Sequence, residues 1–278
     1  GTFPTAMATR RKTRIPAPSA RPDPPVRNVL VLQGGGALGG YQAGVMEGLC
    51  EARIEPDWIA GISIGAINAA LIAGNPPQTR MDRLRGFWDS ICRQPLWPRL
   101  PVPPGALDLW PEPWRGWWSR LEAGRAMVEG QQGFFMPRAF PPLLPGAGSP
   151  ATASWYDTAP LRASLERFVD FDRLNHRDAI RVSVGAVQVD TGNFRYFDNH
   201  CGLHGQPDRL GPEHIMASGA LPPGFPAVEI EGAYWWDGGL VSNTPMLHVL
   251  EHDPHCDLRV FQVDLWSARG PLPTHMAD

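Results

Sequence analysis

The chain has 278 residues, 43% of them hydrophobic, and a formal net charge of -3 at pH 7. This length and composition suit one large α/β domain with a real core, and the small net charge gives no general reason to bind nucleic acid. No stretch approaches the roughly 18 consecutive apolar residues of a transmembrane helix. The four cysteines show no Cys-x-x-Cys spacing, so neither a zinc site nor a disulfide framework is predicted, and we expect no cofactor or metal.

Residues 1–27 form a basic, proline-rich segment without the apolar core of a secretory signal. We predict a disordered tail here and one folded domain over residues 28–278. The basic residues have two interpretations, a solvated tail or a contact with anionic lipid. The expected localisation is cytoplasmic, with peripheral binding to a membrane surface left open.

A predicted buried strand over 28–32 leads into a glycine-rich loop and then a helix. The loop residues singled out here are Gly34, Gly35, Gly36, Ala37 and Gly39. One interpretation is a dinucleotide fingerprint, which needs an acidic residue at the end of the next strand. Glu55 and Asp57 stand before that strand instead. The other interpretation is an oxyanion hole, in which successive backbone N–H groups point into one concavity.

The next motif, Gly61-Ile62-Ser63-Ile64-Gly65, lies between a short apolar strand and an Ala/Ile-rich helix. Glycines on both sides of a serine permit the sharp strand-to-helix turn of a nucleophile elbow. The serine hydroxyl then lies at the positive end of the following helix. The segment therefore predicts acyl transfer or hydrolysis through Ser63.

A tryptophan- and proline-rich insertion over residues 75–155 separates the elbow from the next predicted helix. Helices are predicted around 81–92 and 113–128. Because the insertion follows the elbow, we expect it to cover the active-site end of the sheet. Its tryptophans have two interpretations, a small core of the cap or an acyl-binding or interfacial surface. They are Trp88, Trp97, Trp110, Trp114, Trp117 and Trp118.

Downstream, the sequence predicts a helix over 158–169, antiparallel strands over 180–189 and 194–197, and a last strand over 259–265. Asp237 ends an aromatic, strand-like run and precedes Gly238 and Gly239, which would let backbone or substrate approach it closely. The last strand lies near the end of the sequence, where such sheets often continue into a covering helix. One hypothesis is therefore that the natural chain extends further.

Three motifs, in this order, resemble those of the patatin-like lipid acyl hydrolases. They are the glycine loop over 34–39, the elbow over 61–65 and the aspartate motif over 237–239. Further similarity runs through 156–161 and 217–226 and through Asn243 and Pro245, so it spans residues 28–266. The resemblance implies a three-layer α/β/α fold with a central, mostly parallel sheet and the insertion as a cap. It also implies a catalytic dyad of Ser63 and Asp237, without histidine, beside an oxyanion loop. Many members carry Arg or Lys where this chain has Leu38, which leaves neutral esters open as substrates.

The expected function is thus hydrolysis of lipid acyl esters through an acyl-enzyme, as in a phospholipase A or a lysophospholipase. The alternatives are a short-chain or polyester-oligomer carboxylesterase on the same fold, and a lipid- or nucleotide-binding protein without turnover. A Ser-acid-His triad would need a histidine after Asp237. The candidates, which we interpret as surface or helix-terminus residues, are His248, His252 and His255, with His275 further on.

Overall fold

The computed structural model describes residues 26–92, 126, 128–139, 148–202, 205–252 and 257–266. Its first half contains β1 (Val26–Leu32), α1 (Gly39–Glu51), β2 (Trp58–Gly61), α2 (Ile64–Ala73), α3 (Pro77–Cys92), β3 (Met136–Pro137) and β4 (Tyr156–Asp157). The second half contains α4 (Ala159–Phe168), α5 (Phe171–Leu174), β5 (Arg181–Gln188), β6 (Phe194–Asp198), α6 (Pro212–Ser218), β7 (Val228–Ile230), β8 (Ala233–Asp237), α7 (Met246–His252) and β9 (Asp257–Val263).

Strands β9, β1, β2 and β5 lie side by side and run parallel, whereas β6, β8 and β7 add antiparallel pairs to the same sheet. Strand β5 pairs with β2 over 181–184, with β6 over 183–187 and with β8 over 186–188. A strand has two edges, so β2 and β8 must share the edge that β6 does not use. The end of β8 therefore meets the end of β2 head to head.

Helices cover both faces of this sheet. Helix α2 is buried at all ten positions and packs in the main core with side chains of α1, α3 and α4. A helix that is apolar all round must be enclosed on every side, and these neighbours enclose it. On the other face, Val249 of α7 packs against Val29, Val31 and Trp58. The result is the three-layer α/β arrangement that the family resemblance implied.

The predicted elements outside the cap are found close to their expected bounds. The helix expected over 158–169 is α4, and the antiparallel strands are β5 and β6. The last predicted strand is β9, which pairs in parallel with β1. Strand β1 begins at Val26, two residues before the expected start of the domain.

The expectations for the tail and for most of the cap fall outside the described residues. This applies to Trp97, Trp110, Trp114, Trp117 and Trp118, and to all but the last residues of the helix predicted over 113–128. The other predicted cap helix is described as α3, and its Trp88 belongs to the domain rather than to a separate cap. The indole packs against the main core, and its Nε1 donates to the buried Oδ1 of Asn68 at 3.1 Å.

The crossing of α2 over β1 depends on Gly65, and its replacement by alanine should destabilise the protein. The new Cβ would overlap the carbonyl oxygen of Leu32, so α2 would have to move away from the sheet. We expect the free energy of unfolding to fall by about 1–3 kcal/mol, as for other overpacked sites. Denaturant unfolding at equilibrium measures this loss.

Gly44 of α1 provides the matched control. It is an exposed helical glycine, and a Cβ built on it meets open space. Gly44→Ala should leave the protein as stable as the wild type, or up to about 1 kcal/mol more stable. Equal stability of Gly65→Ala and Gly44→Ala would contradict this account of the α2 packing.

Candidate active site

Ser63 occupies a strained turn between β2 and α2. Its backbone has φ 56° and ψ -122°, which is unusual for a residue with a side chain. A Cβ on Gly61 would overlap the carbonyl of Gly65, and one on Gly65 would overlap that of Leu32. The turn is therefore closed so tightly that only glycine fits at both flanking positions, as the elbow motif predicted. Ser63 itself is half-buried at the end of the turn.

Asp237 lies at the end of β8, where the head-to-head meeting of β2 and β8 brings it to Ser63. The Ser63 hydroxyl lies close enough to the Asp237 carboxylate to lower its pKa as a hydrogen-bond donor. The same carboxylate accepts a hydrogen bond from the amide of Gly239, with 2.7 Å between nitrogen and Oδ1. The Asp237 backbone is held by its own amide, which donates to the carbonyl of Ala220 at 3.0 Å. Two residues 174 positions apart in the sequence are thus brought close together.

The environment of Asp237 makes it a stronger base than an exposed aspartate. Only 3% of the residue is exposed, and this desolvation raises its pKa to about 6. The Ser63 hydroxyl and the Gly239 amide act in the opposite direction, because donors beside a carboxylate stabilise its charged form. Desolvation is the larger effect. The carboxylate is consequently charged at pH 7 and still able to accept a proton.

The glycine-rich loop lies directly beside Ser63. A Cβ on Gly34 would come within 3.0 Å of the Ser63 Cβ. Gly36 has φ 56°, a conformation that favours glycine, and space is open around it. Among the described residues, no backbone carbonyl accepts a hydrogen bond from the amides of Gly35, Gly36 or Ala37. These N–H groups are therefore available to an anion at this position.

Residues from distant parts of the chain hold the loop in place. Asn243 donates from Nδ2 to the main-chain carbonyl of Gly34 at 3.0 Å. The main-chain carbonyl of Asn243 in turn accepts from the Gly34 amide at 3.3 Å. The indole of Trp266 donates to the same Gly34 carbonyl at 3.1 Å. Gln33 accepts at Oε1 from the amides of Leu265 and Trp266. The loop is thereby tied to the segments that follow β8 and β9.

A buried polar pair supports the loop from below. Gln42 and Asn68 are both fully buried and bond to each other at 2.8 Å. Gln42 also donates to the carbonyl of Gln33, and Asn68 to the carbonyl of Gly39. Both ends of the glycine loop are therefore fixed to α1 and α2. Sequence reasoning missed these supports because neither residue stands in a motif.

The histidines downstream of Asp237 do not lie beside the dyad as far as they are described. The prediction of a surface or helix-terminus position is wrong for His248, which is buried on the inner side of α7. Its ring stacks on Tyr196 with 3.7 Å between centroids and meets Trp58 edge-on. Burial lowers its pKa to about 3, so it is neutral at pH 7. His252 is exposed at the end of α7, as predicted, while His255 and His275 fall outside the described residues.

Neither a cluster of metal ligands nor a membrane-spanning helix is found among the described residues. No group of three or more His, Cys, Asp or Glu side chains there is arranged to hold a metal ion. No helix among them is long and apolar enough to cross a bilayer.

Comparison with known proteins identifies the family. A 64-residue stretch, 23% of this chain, is 34% identical to the patatin-like phospholipase domain-containing protein M110.7 of Caenorhabditis elegans, and covers 6% of that protein. The crystal structure of VipD from Legionella pneumophila aligns over 87% of this chain and 50% of its own, with a TM-score of 0.43 and 16% identity. The chain thus spans half or less of either protein. The family model for patatin-like phospholipases matches residues 30–250, so the chain belongs to that family.

Proposed function

We propose that the protein hydrolyses lipid acyl esters through a dyad of Ser63 and Asp237. Membership of the patatin-like phospholipase family supports lipid acyl hydrolase activity in general. One observation carries the finer assignment: a strained serine lies beside a buried carboxylate whose pKa is raised to about 6. Serine activated by an adjacent base is the usual arrangement for nucleophilic catalysis.

The reaction follows from the position of each group. Ser63 Oγ attacks the ester carbonyl, and its proton passes to the Asp237 carboxylate. The amides of Gly35 and Gly36, with the N-terminus of α2, stabilise the negative charge that forms on the carbonyl oxygen. When the tetrahedral intermediate collapses, Asp237 returns the proton to the departing alcohol and the acyl group stays on Ser63. Water then attacks the acyl-enzyme and gives a proton to Asp237. The bond to Ser63 Oγ breaks, Asp237 returns the proton to that oxygen, and the fatty acid leaves.

Exposed apolar side chains lie in segments that adjoin Ser63, Asp237 and the glycine loop in the chain or in the fold, and they favour an aggregated lipid substrate. They come from the glycine loop and α1, from the segment after α6, from that after β8 and from that after β9. We call this set the apolar rim: Leu38, Tyr41, Leu221, Leu240, Val241 and Trp266. Each member is between 44% and 66% exposed. A rim of this kind next to a serine hydrolase site suits peripheral contact with a lipid surface.

The charge around the site favours esters without a strongly anionic headgroup. The segments 34–39, 61–65, 218–224 and 237–243 contain no Lys or Arg. Leu38 lies half-exposed in the first of these segments. A neutral carboxylic ester is therefore a second candidate substrate, and a zwitterionic phospholipid fits the same surroundings.

The dyad predicts two inactive variants. Ser63→Ala should abolish hydrolysis of p-nitrophenyl esters, since loss of a catalytic nucleophile costs on the order of a million-fold. Asp237→Asn should be severely impaired as well, because the amide cannot accept the serine proton. His252→Ala and His248→Gln should keep most of the activity. A histidine variant that folds correctly but has no activity would contradict the dyad and indicate a Ser-Asp-His triad.

The reactivity of Ser63 should depend on the ionisation of Asp237. Its raised pKa means that the carboxylate is protonated below about pH 6 and charged above it. The rate at which a fluorophosphonate labels Ser63 should therefore rise with pH through about 6 and level off above 7. Asp237→Asn should label slowly at every pH. A wild-type rate that does not change between pH 5 and pH 7 would exclude Asp237 as the base.

The apolar rim predicts a selective loss on vesicles. Tyr41→Ser combined with Val241→Ser should lower binding to phosphatidylcholine vesicles by more than about tenfold, because a fully buried apolar side chain contributes about 1.5–3 kcal/mol. Hydrolysis of a short soluble ester should be unchanged. Leu247→Ser with Leu250→Ser is the matched control, since these side chains are equally exposed but lie on α7, which covers the other face of the sheet. Equal effects of the two double variants on vesicle binding would contradict the proposal that the apolar rim contacts the lipid surface.

A further inference from the structure

The turn at the end of α6 contacts both members of the dyad. The Oγ of Ser218 accepts a hydrogen bond from the amide of Ser63 at 3.0 Å. Two residues further on, the carbonyl of Ala220 accepts from the amide of Asp237 at 3.0 Å. A segment of three residues is therefore bonded to the backbone of the nucleophile and to that of the base.

The hydroxyl of Ser218 has only one orientation that satisfies its partners. It is fully buried, and it also lies 2.7 Å from the carbonyl of Gly185. That carbonyl can only accept, so the hydroxyl donates its proton there and presents a lone pair to the Ser63 amide. An alanine at position 218 could form neither of these two hydrogen bonds. A buried Ser63 amide without a partner would also be costly.

The same bonds connect the elbow to the strand that fixes Asp237. Gly185 precedes Ala186, which is the register partner of Asp237 in the β5–β8 pair. A Cβ on Gly238 would lie 2.5 Å from the Gly185 carbonyl, so the backbone that follows Asp237 packs against the same oxygen. Ser218 thus bonds to the turn that carries Ser63 and also to strand β5, which pairs with the strand that carries Asp237.

The strain at Ser63 gives this connection its importance. A residue with a side chain at φ 56° persists only where its surroundings over-determine it, because the conformation costs about 1–3 kcal/mol. The Ser63 amide is part of the strained unit, and Ser218 is its hydrogen-bond partner. Loss of that bond would let the turn relax and carry Oγ away from the carboxylate.

We propose that Ser218 is a positioning residue that sets the separation between the Ser63 hydroxyl and the Asp237 carboxylate. It acts through the backbone of Ser63 and does not contact the substrate. The inference rests on the proposed hydrolytic function. It predicts an effect on the chemical step rather than on substrate binding.

The test compares Ser218→Ala with Ser183→Ala on a short soluble p-nitrophenyl ester. Ser183 is also fully buried, and its hydroxyl likewise makes two bonds, from the indole of Trp58 and to Asp198, neither of which involves the dyad. Both variants should lower the melting temperature by similar amounts. Ser218→Ala should lower kcat about 10- to 100-fold with little change in KM, because a displacement of about 1 Å is enough for such a loss. Ser183→Ala should keep the wild-type kcat.

Ser218→Cys keeps the size of the side chain with a weaker donor and acceptor, and covers the case in which the alanine variant does not fold. It should be slower than the wild type in kcat and in labelling of Ser63 by a fluorophosphonate. A folded Ser218 variant with wild-type kcat would overturn the inference and leave the proposed function standing. Equal losses of kcat in Ser218→Ala and Ser183→Ala would overturn it too. A wild-type protein that neither hydrolyses esters nor reacts at Ser63 would refute the proposed function and the inference together.

Discussion

The placement of the dyad depends on one edge of strand β5, which β2 and β8 share. Strand β2 occupies the first half of that edge and ends at Gly61, and β8 enters the second half from the opposite direction. Ser63 follows the end of one strand, and Asp237 is the last residue of the other. Their contact is therefore a consequence of backbone pairing. A one-residue slip of β8 would turn the Asp237 side chain to the other face of the sheet.

The sheet edge also gives Asp237 the surroundings that the proposed mechanism requires of a base without a histidine. The residue is enclosed by β5, by the turn after α6 and by its own following glycines, so water does not solvate its charge. General bases act best with a pKa near the working pH, and the ordinary value of an aspartate is too low. Desolvation raises the Asp237 pKa to about 6. The nearby Ser63 hydroxyl and Gly239 amide limit this rise and keep the group charged at neutral pH.

The sequence predicted the local parts of the site and not the contacts that assemble them. Gly61 and Gly65 were recognisable because a sharp strand-to-helix turn leaves no room for a Cβ, a requirement that is visible in five residues. The bond from Ser63 to Ser218 joins residues 155 positions apart, and that from Asn243 to Gly34 spans 209 positions. Such pairs depend on strand order and register, which motif spacing does not contain. The family resemblance included both segments but supplied no role for either residue.

His248 shows the same limit on the other face of the sheet. Helix α7 has seven residues with apolar side chains on more than one side, so its periodicity does not indicate which side faces the core. In the structure Leu247 and Leu250 are exposed, whereas His248 and Val249 are buried. The inward position is explained by aromatic partners, since Tyr196 and Trp58 provide flat surfaces for a neutral imidazole. Those partners come from β6 and β2, which no local pattern connects to α7.

The burial of α2 gives the site its rigidity. Ser63 is strained and Asp237 is desolvated, and both conditions cost stability that other interactions must offset. Helix α2 starts at the residue after Ser63 and is enclosed at every position, with Ala and Ile side chains that lose little conformational entropy on burial. Its N-terminal turn cannot move without disturbing the main core. Ser63, the proposed nucleophile, precedes a helix that is buried at every position, and its amide is bonded to the fully buried Ser218. It is therefore held in position before any substrate arrives.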